Sequence, residues 1–508
     1  MAGGFAEVKR LSDLFALLPE AVVAGDLGTP IAGLAYDSRR VSPGDLFACL
    51  PGERTDGHRF IPEAVAAGAA ALLVRQGAYD PAAATVPAVA APDTRAALAA
   101  IADAFHDYPS RALRLIGITG TNGKTTTSYL IEAILRAQGR RTGVIGTLAY
   151  RIGDAIRTAT HTTPEAPDLQ ALLAEMRAAG VQEVCLEVSS HALAQRRADH
   201  CRFTCAVFTN LSRDHLDYHA SLEDYLQAKS RLFFDPAFQP ESGVRVNVIN
   251  ADDDAGPRLA RQAVGVTITY GMRGGDVIAS DVALSPQSTQ FRLQTPEGVS
   301  AVNLKLVGAF NVYNALAALA AALALGVDLE AAIRAVEAVD PIAGRFERVE
   351  AGQEFAVVVD YSHTPDGLEK ALENARQLTR GRLIVVFGCG GDRDTGKRPL
   401  MGRLAARLAD LCVITSDNPR SEDPGAIIAQ ILAGAGLSGR RRCRVEADRR
   451  EAIRLALEEA HAGDLVLIAG KGHETYQVFR DRTIPFDDRQ VATELLAERV
   501  GKTVKSEV

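Results

Sequence analysis

The sequence predicts an α/β fold in three domains: a small N-terminal α/β domain over residues 1–110, a central domain with a mostly parallel sheet over 111–344, and a C-terminal Rossmann-like α/β domain over 345–508. Three observations predict it. The 508 residues exceed what one core holds, and roughly 150 residues per domain gives about three. Strand-length apolar runs alternate with helical patterns through the middle and last thirds, which is how a parallel sheet covered by helices reads. Two breaks separate the thirds, at Asp107-Tyr108-Pro109-Ser110 and at Pro341–Gly344.

The elements follow in order. The first hundred residues hold short strand-like runs and alanine-rich helical stretches, Ala64–Ala71 and Ala96–Phe105. From Arg114 the apolar runs Leu115–Thr119, Val184–Val188, Ala206–Thr209 and Val246–Ile249 read as buried strands. A more polar, strand-rich stretch over 265–306 leads into an alanine-rich helix, Asn311–Leu325. After the second break, Ala356–Val359, Leu383–Phe387, Leu411–Thr415 and Leu465–Ala469 are the next strands. No repeat of solenoid period is visible, and the last eight residues, GKTVKSEV, read as a frayed tail.

Composition narrows the class of function. Hydrophobic residues at 47% and charged residues at 23% exclude a largely disordered chain. A net charge of −7 with 6% aromatics argues against nucleic acid as a partner. Seven irregularly spaced cysteines fit a reducing compartment rather than a disulfide scaffold. The N-terminus has no apolar signal-peptide region, and the longest apolar stretch, Ala315 to Leu325, is short of the ~20 residues that span a bilayer. A cytoplasmic enzyme, monomeric and free of the membrane, is the expectation.

The sharpest local signal runs from Leu115 to Thr126, LIGITGTNGKTT. An apolar strand enters a glycine turn, then Lys124 and Thr125, then a helix carrying apolar Tyr129, Leu130, Ile131 and Ile134. Glycines let backbone N–H groups close around phosphate oxygens, and the helix N-terminus adds positive potential. Lys124 suits the terminal phosphates and the Thr125 hydroxyl suits Mg²⁺. The central domain therefore reads as a P-loop ATPase domain, although the glycine spacing departs from the strict pattern. Glu187 ends the next strand, and His215 and His219 follow the one after. Acids and histidines at the carboxyl ends of such strands face the phosphate loop. Glu187 and His215 are thus candidate magnesium ligands, with a buried polar residue and surface histidines as the plainer alternative. A zinc site from His200, Cys201 and Cys205 lacks a second ligand pair. Lys229, taken bare, reads as a solvated helix lysine.

In the last third, Gly388 and Gly390 begin a dinucleotide-like pattern that fails at Arg393. Four strand ends instead carry Asp360–Asp366, the 388–399 loop, Ser416–Pro424 and Gly470–Glu474. Together they describe a pocket for a zwitterionic small molecule.

These motifs, taken with DSRRVSPGDLFACLPG (37–52), HTTP (161–164), EVSSHALAQRR (187–197), TNLSRDHLDYH (209–219), YLQAKSRLF (225–233), GAFNVYNALAA (308–318) and GRFE (344–347), resemble the Mur ligase family over nearly the whole chain. The resemblance implies an ATP-dependent acid–amino-acid ligase of peptidoglycan precursor synthesis, with UDP-N-acetylmuramoyl-L-alanyl-D-glutamate and meso-2,6-diaminopimelate as substrates. It implies that Ser38 and the loop of Glu53, Arg54 and Thr55 hold the uridine nucleotide. Thr162, Thr163, Ser189, Gln195 and Arg197 would hold the muramoyl dipeptide. Gly120, Thr121, Asn122, Gly123, Lys124, Thr125, Thr126, Asn311, Arg345 and Asp360 would bind ATP. Thr125, Glu187, His215 and Lys229 as its carbamate would serve Mg²⁺, which reverses the bare reading of Lys229. Lys124, Lys229, Glu187 and His215 would be the catalytic set. Arg393, Asp417, Asn418, Pro419, Arg420, Gly470 and Glu474 would grip diaminopimelate. His161 is a departure, since some relatives carry Asn before the two threonines. The rivals are a lysine-adding ligase or a folylpolyglutamate synthetase, against which Asp37-Ser38-Arg39 speaks, and a P-loop regulatory ATPase without a second substrate.

Overall fold

The computed structural model describes residues 9–506, except 19, 53–54, 82–83, 217 and 241–242, and side chains up to residue 499. The chain is α/β throughout, built on three main sheets of five, eleven and six strands.

The N-terminal sheet runs Val22–Ala24, Ala88–Ala91, Ala71–Arg75, Asp45–Ala48, Gly33–Ala35, and is parallel except for its first strand. The sequence expectation of a helix over Ala64–Ala71 is corrected here. The helix is Ile61–Ala66, and Ala71 already begins a strand. Alanine is the strongest helix former, but propensity yields where a chain must turn back to pair a buried strand.

In the central sheet the phosphate-loop strand Arg114–Thr119 lies between Glu183–Glu187 and Phe203–Phe208, parallel to both. Successive side chains of a strand face opposite ways, so Ile116 and Ile118 enter one core while Leu115 enters the other. The first core packs the helices Lys124–Ala137 and Ala309–Ala324, the second packs Ala166–Ala178 and Leu222–Phe234. Such burial on both faces is why these strands are continuous apolar runs. The polar stretch after residue 265 supplies Val266–Gly271, Val277–Leu284, Thr289–Thr295 and Gly298–Leu304, the last two antiparallel. At the opposite edge a hairpin, Ala149–Ile152 with Ala155–Thr158, turns at Gly153-Asp154. The sequence reading passed over that two-residue turn signal.

The C-terminal sheet runs Glu347–Arg348, Ala356–Asp360, Leu465–Ala469, Leu383–Phe387, Leu411–Ile414, Cys443–Val445, parallel after the first strand. Its four polar loops therefore emerge from one edge, at the carboxyl ends of neighbouring strands. Behind them Arg449 and Asp488, both fully buried, pair at 2.6 Å, and Arg449 also donates to Ala469 O. Removing one partner would strand a buried charge, at about 3–5 kcal/mol. The expected frayed tail is also corrected over its described residues, because the helix Asp488–Ser506 continues to Ser506.

Candidate active site

The phosphate loop closes tightly because Gly120, at φ +147°, lies so near Thr209 that a Cβ would sit 1.9 Å from its hydroxyl. Thr209 Oγ1 donates to Asn122 O at 2.6 Å, and Asn122 N donates to Asn210 Oδ1 at 3.0 Å. The loop after Phe203–Phe208 thus fixes the loop after Arg114–Thr119. Lys124 opens the helix Lys124–Ala137 and its ammonium donates to Gly120 O and Thr121 O, both at 2.9 Å. Burial lowers its pKa, opposed by Glu187 and Asp214.

Glu187 is fully buried at the end of its strand. Its carboxylate accepts from Thr125 Oγ1 at 3.1 Å, Thr147 N at 3.1 Å and Thr147 Oγ1 at 3.0 Å. Hydroxyl and amide donors leave the carboxylate's charge unneutralised, and the Thr125 hydroxyl beside it is a second hard oxygen donor. This donor set fits Mg²⁺. Thr147 was missed in the sequence, since nothing in its neighbourhood marks it apart from the strand end it follows.

Lys229 is 1% exposed, which overturns the bare reading of a solvated lysine. Its amine donates to Gly120 O at 2.9 Å and lies 4.3 Å from the centre of the Tyr225 ring. Burial, with Lys124 adding to it, pushes its pKa well below the ordinary lysine value. The signal was in the pattern. Tyr225, Leu226, Lys229, Leu232 and Phe233 share one helical stripe, and a lysine in mid-stripe faces the core. His215, at φ +54°, packs its ring against His191 at 4.7 Å and lies 3.5 Å from the Asp214 carboxylate. His219 is buried. The zinc alternative fails, because Cys201 and Cys205 enter opposite cores of the central sheet. Among the described residues no three His, Cys, Asp or Glu side chains gather as a metal cluster.

Thr162, Thr163, Ser189, Gln195 and Arg197 form one network beside Glu187. Thr163 Oγ1 donates to Glu187 O at 2.7 Å and accepts from Ser189 N at 3.1 Å, while Thr162 meets Thr147 at 3.0 Å. Arg197 is held by Gln195 Oε1 at 2.6 Å and by Glu165 at 3.0 Å, and Arg95 of the N-terminal domain shares Glu165 at 3.2 Å. His161 is exposed, with its backbone tied to Tyr150. Ser38 opens a single turn after Asp37, and Thr55 is exposed. Glu53 and Arg54 lie outside the described residues.

The C-terminal domain reaches the phosphate loop at two points. Arg345 Nη2 donates to Thr125 Oγ1 at 3.2 Å, and Asp366 accepts from Asn122 Nδ2 at 2.9 Å and Ser212 Oγ at 2.6 Å. Asp360 accepts from Phe346 N at 2.8 Å, and burial raises its pKa. Asn311 accepts from Asn314 Nδ2 at 2.9 Å. A cavity of about 600 Å³ opens between the phosphate-loop helix and the linker, lined by Tyr129, Glu132, Arg151, Ile342, Ala343 and His473 among others.

The loops at the strand ends of the C-terminal sheet meet one another. Asn418 Nδ2 donates to Glu474 Oε2 at 2.8 Å, and Arg420, at φ +50°, donates to Gly391 O at 2.8 Å. Asp417 approaches Gly470 so closely that a Cβ there would stand 2.7 Å from its carboxylate, and Pro419 is buried beside them. Lys471, missed by the sequence reading, is fully buried and pairs with Glu474 at 3.1 Å. Arg393 is exposed on its loop.

Three family profiles match the chain: "Mur ligase family, catalytic domain" over residues 30–106, "Mur ligase middle domain" over 118–322, and "Mur ligase, glutamate ligase domain" over 344–472. A protein of Gloeobacter violaceus named UDP-N-acetylmuramoyl-L-alanyl-D-glutamate--2,6-diaminopimelate ligase is 52% identical, covering 92% of this chain and 94% of its own. One of the same name from Geobacillus kaustophilus is 48% identical, covering 96% and 100%. A solved structure of a ligase of that name superposes with a TM-score of 0.68 at 35% identity, covering 97% and 100%. A Mycobacterium tuberculosis folylpolyglutamate synthase, at 20% identity and a TM-score of 0.59, shares the fold over 78% of this chain.

Proposed function

Because the chain belongs to the Mur ligase family, we propose that it joins meso-2,6-diaminopimelate to the D-Glu γ-carboxylate of UDP-N-acetylmuramoyl-L-alanyl-D-glutamate at the expense of ATP, in the cytoplasm. We assign the nucleotide-sugar substrate to residues 1–110, ATP to 111–344 and the amino acid to 345–508. The observation that carries this reading is the pairing of two features. A phosphate loop is gripped across the domain boundary by Arg345 and Asp366, and a zwitterion-matched cluster of Asn418, Arg420, Lys471 and Glu474 stands on the domain that grips it.

A carboxylate is a poor electrophile and must be activated. In this reading the loop N–H groups of residues 120–126 and the Lys124 ammonium hold the phosphates, with Asn311, Arg345 and Asp360 on the rest of the nucleotide. Ser38 and Thr55 hold the uridine end. Thr162, Thr163, Ser189, Gln195 and Arg197 aim the γ-carboxylate at the terminal phosphorus. One carboxylate oxygen attacks, ADP departs, and an acyl phosphate results. The diaminopimelate amine, presented by the C-terminal domain, attacks the acyl carbon, loses its proton, and phosphate leaves. Lys124 balances charge that grows on the phosphoryl oxygens.

Thr125, Glu187, His215 and a carbamate on Lys229 would hold Mg²⁺, whose charge, when bound, offsets that of the phosphate oxygens. A carbamate forms when a neutral amine nitrogen adds to CO₂ and releases a proton. The depressed pKa of Lys229 supports a neutral amine at working pH. Arg420 would take the distal carboxylate of diaminopimelate, with Asn418 adding a donor and Arg393 a second cation, and Glu474 would accept from its distal ammonium. Among the described residues no helix is long and apolar enough to cross a membrane.

The test is an amino-acid panel with the UDP-dipeptide and ATP, read by product mass. Diaminopimelate alone should give the tripeptide product efficiently. Lysine incorporation at equal efficiency, or ATP hydrolysis indifferent to every amino acid, would overturn the proposal.

A further inference from the structure

Tyr361 follows the strand Ala356–Asp360 and stands between the two halves of the site. The Arg345 guanidinium lies over its ring, 5.1 Å from the centroid. The His473 ring packs against it at 4.8 Å, and His363 at 4.5 Å. Its backbone N–H donates to Gly344 O at 2.9 Å, so the chain entering Arg345 is tied to it twice. On the other side Gly472 comes so close that a Cβ would fall 2.6 Å from the Tyr361 Cβ. One ring thus touches the residue that donates to Thr125 and the loop that carries Glu474. Burial, with Glu474 adding to it, pushes its hydroxyl pKa up to about 12, so the ring stays neutral and its face remains a good seat for a cation.

Beyond these contacts, Arg345 is attracted by the Asp360 carboxylate. Its Nε is buried with no hydrogen-bond partner among the described residues, and so is Nδ1 of His473. A guanidinium held by one Thr hydroxyl, a ring face and the attraction of the Asp360 carboxylate takes part of its position from that ring.

We propose that Tyr361 is a positioning residue, which sets Arg345 against the phosphate loop and registers the Gly470–Glu474 loop to it. The proposal rests on the reading of that loop as the amino-acid site, and it explains how the two substrates' sites keep one geometry. Tyr361 touches neither reacting group. It acts through Arg345 and through the loop backbone at Gly472.

The test is a double-mutant cycle on nucleotide affinity, with a non-hydrolysable ATP analogue titrated into the full chain. Tyr361→Leu should weaken binding roughly fivefold, the loss of about one cation–π contact. Tyr361→Phe, which keeps the ring, should bind within about twofold of the parent. On an Arg345→Ala background the Leu change should add nothing, since the two act as one unit. In steady state the Leu variant should also raise the KM of whichever amino acid the panel identifies, and Tyr361→Phe should restore it. Fully additive losses in the cycle, or parental nucleotide affinity in Tyr361→Leu, would overturn the proposal. Should the Leu variant fail to fold, Tyr361→Met keeps the volume without the ring face and carries the same cycle. The nucleotide titration needs no amino acid, so a wrong amino-acid assignment would surface in the panel and leave the cycle standing.

Discussion

Asp366 of the C-terminal domain accepts at 2.9 Å from Asn122 in the phosphate loop of the central domain. The same carboxylate accepts from Ser212 and pairs with Lys370 one helical turn on. One carboxylate therefore ties two central-domain loops to the helix Pro365–Leu378. Asp366→Ala should leave each domain folded but loosen this tie. Hydrogen bonds to a charged acceptor are worth about 1.5–3 kcal/mol, so kcat/KM for ATP should fall about tenfold or more with an unchanged unfolding midpoint. Unaltered kcat/KM would show that the tie has no part in assembling the site.

Lys124→Ala removes the cation that opens the phosphate-loop helix. One preorganised charge contact is worth roughly 10²–10³ in rate. Ligation should fall by that factor while the circular dichroism spectrum is preserved, and near-parental turnover would refute the role given to Lys124.

Lys229→Ala should be nearly inactive, with partial recovery in a small carboxylic acid that can occupy the place of a carbamate. Lys229→Arg should not recover, because guanidinium adds no CO₂ and, as a fixed cation, cannot bind a metal ion. Intact-protein mass offers a check independent of turnover, through a CO₂ adduct that vanishes in both variants. Full activity of the Arg variant would sink the carbamate assignment.

Arg420→Ala should lose the preference for diaminopimelate over lysine. Lysine lacks the distal carboxylate, so in the parent it leaves Arg420 without an anionic partner, and discrimination of roughly two orders of magnitude is expected. Competition between the two amino acids, read by product mass in parent and variant, decides this.

Of the seven cysteines, Cys443 alone is not buried. It pairs in register with Cys412 on the neighbouring strand. A hydrogen bond from Cys412, with Arg440 and Arg444 assisting, lowers its pKa to about 7 although burial opposes them. Mild alkylation should therefore label Cys443 first, at a rate rising with pH and half-maximal near that value. Peptide mapping that finds another cysteine labelled first, or a half-maximum at the ordinary thiol value, would contradict the assignment.

Much of this was legible in the sequence because strand ends and loops carry their chemistry locally. The glycine turn before Lys124 announces a backbone cradle, and an acid closing an apolar run, as Glu187 does, is visible without a partner. What stayed hidden depends on neighbours far along the chain. Thr147 matters only because Glu187 lies 3.0 Å away, and Asp366 only because Asn122 does. Lys471 sits within the polar strand end Gly470–Glu474, yet its burial against Glu474 is a matter of packing. Lys229 is legible from its place in the apolar stripe of its helix, although lysine as a residue type points to solvent.

The sheet that carries the phosphate loop has a second end. Where Glu187 closes its strand among reactive groups, Glu183 opens the same strand, fully buried and clamped by Arg114 and, at 2.6 Å, by Arg140. One five-residue strand thus carries a carboxylate at each end, one facing the phosphate loop and one held in an ion-pair clamp. Substitutions around Glu183 should therefore alter resistance to heat without touching turnover, and those around Glu187 should do the reverse. The two rims of one sheet therefore offer separate handles, so that heat resistance can be raised at one while turnover is set at the other.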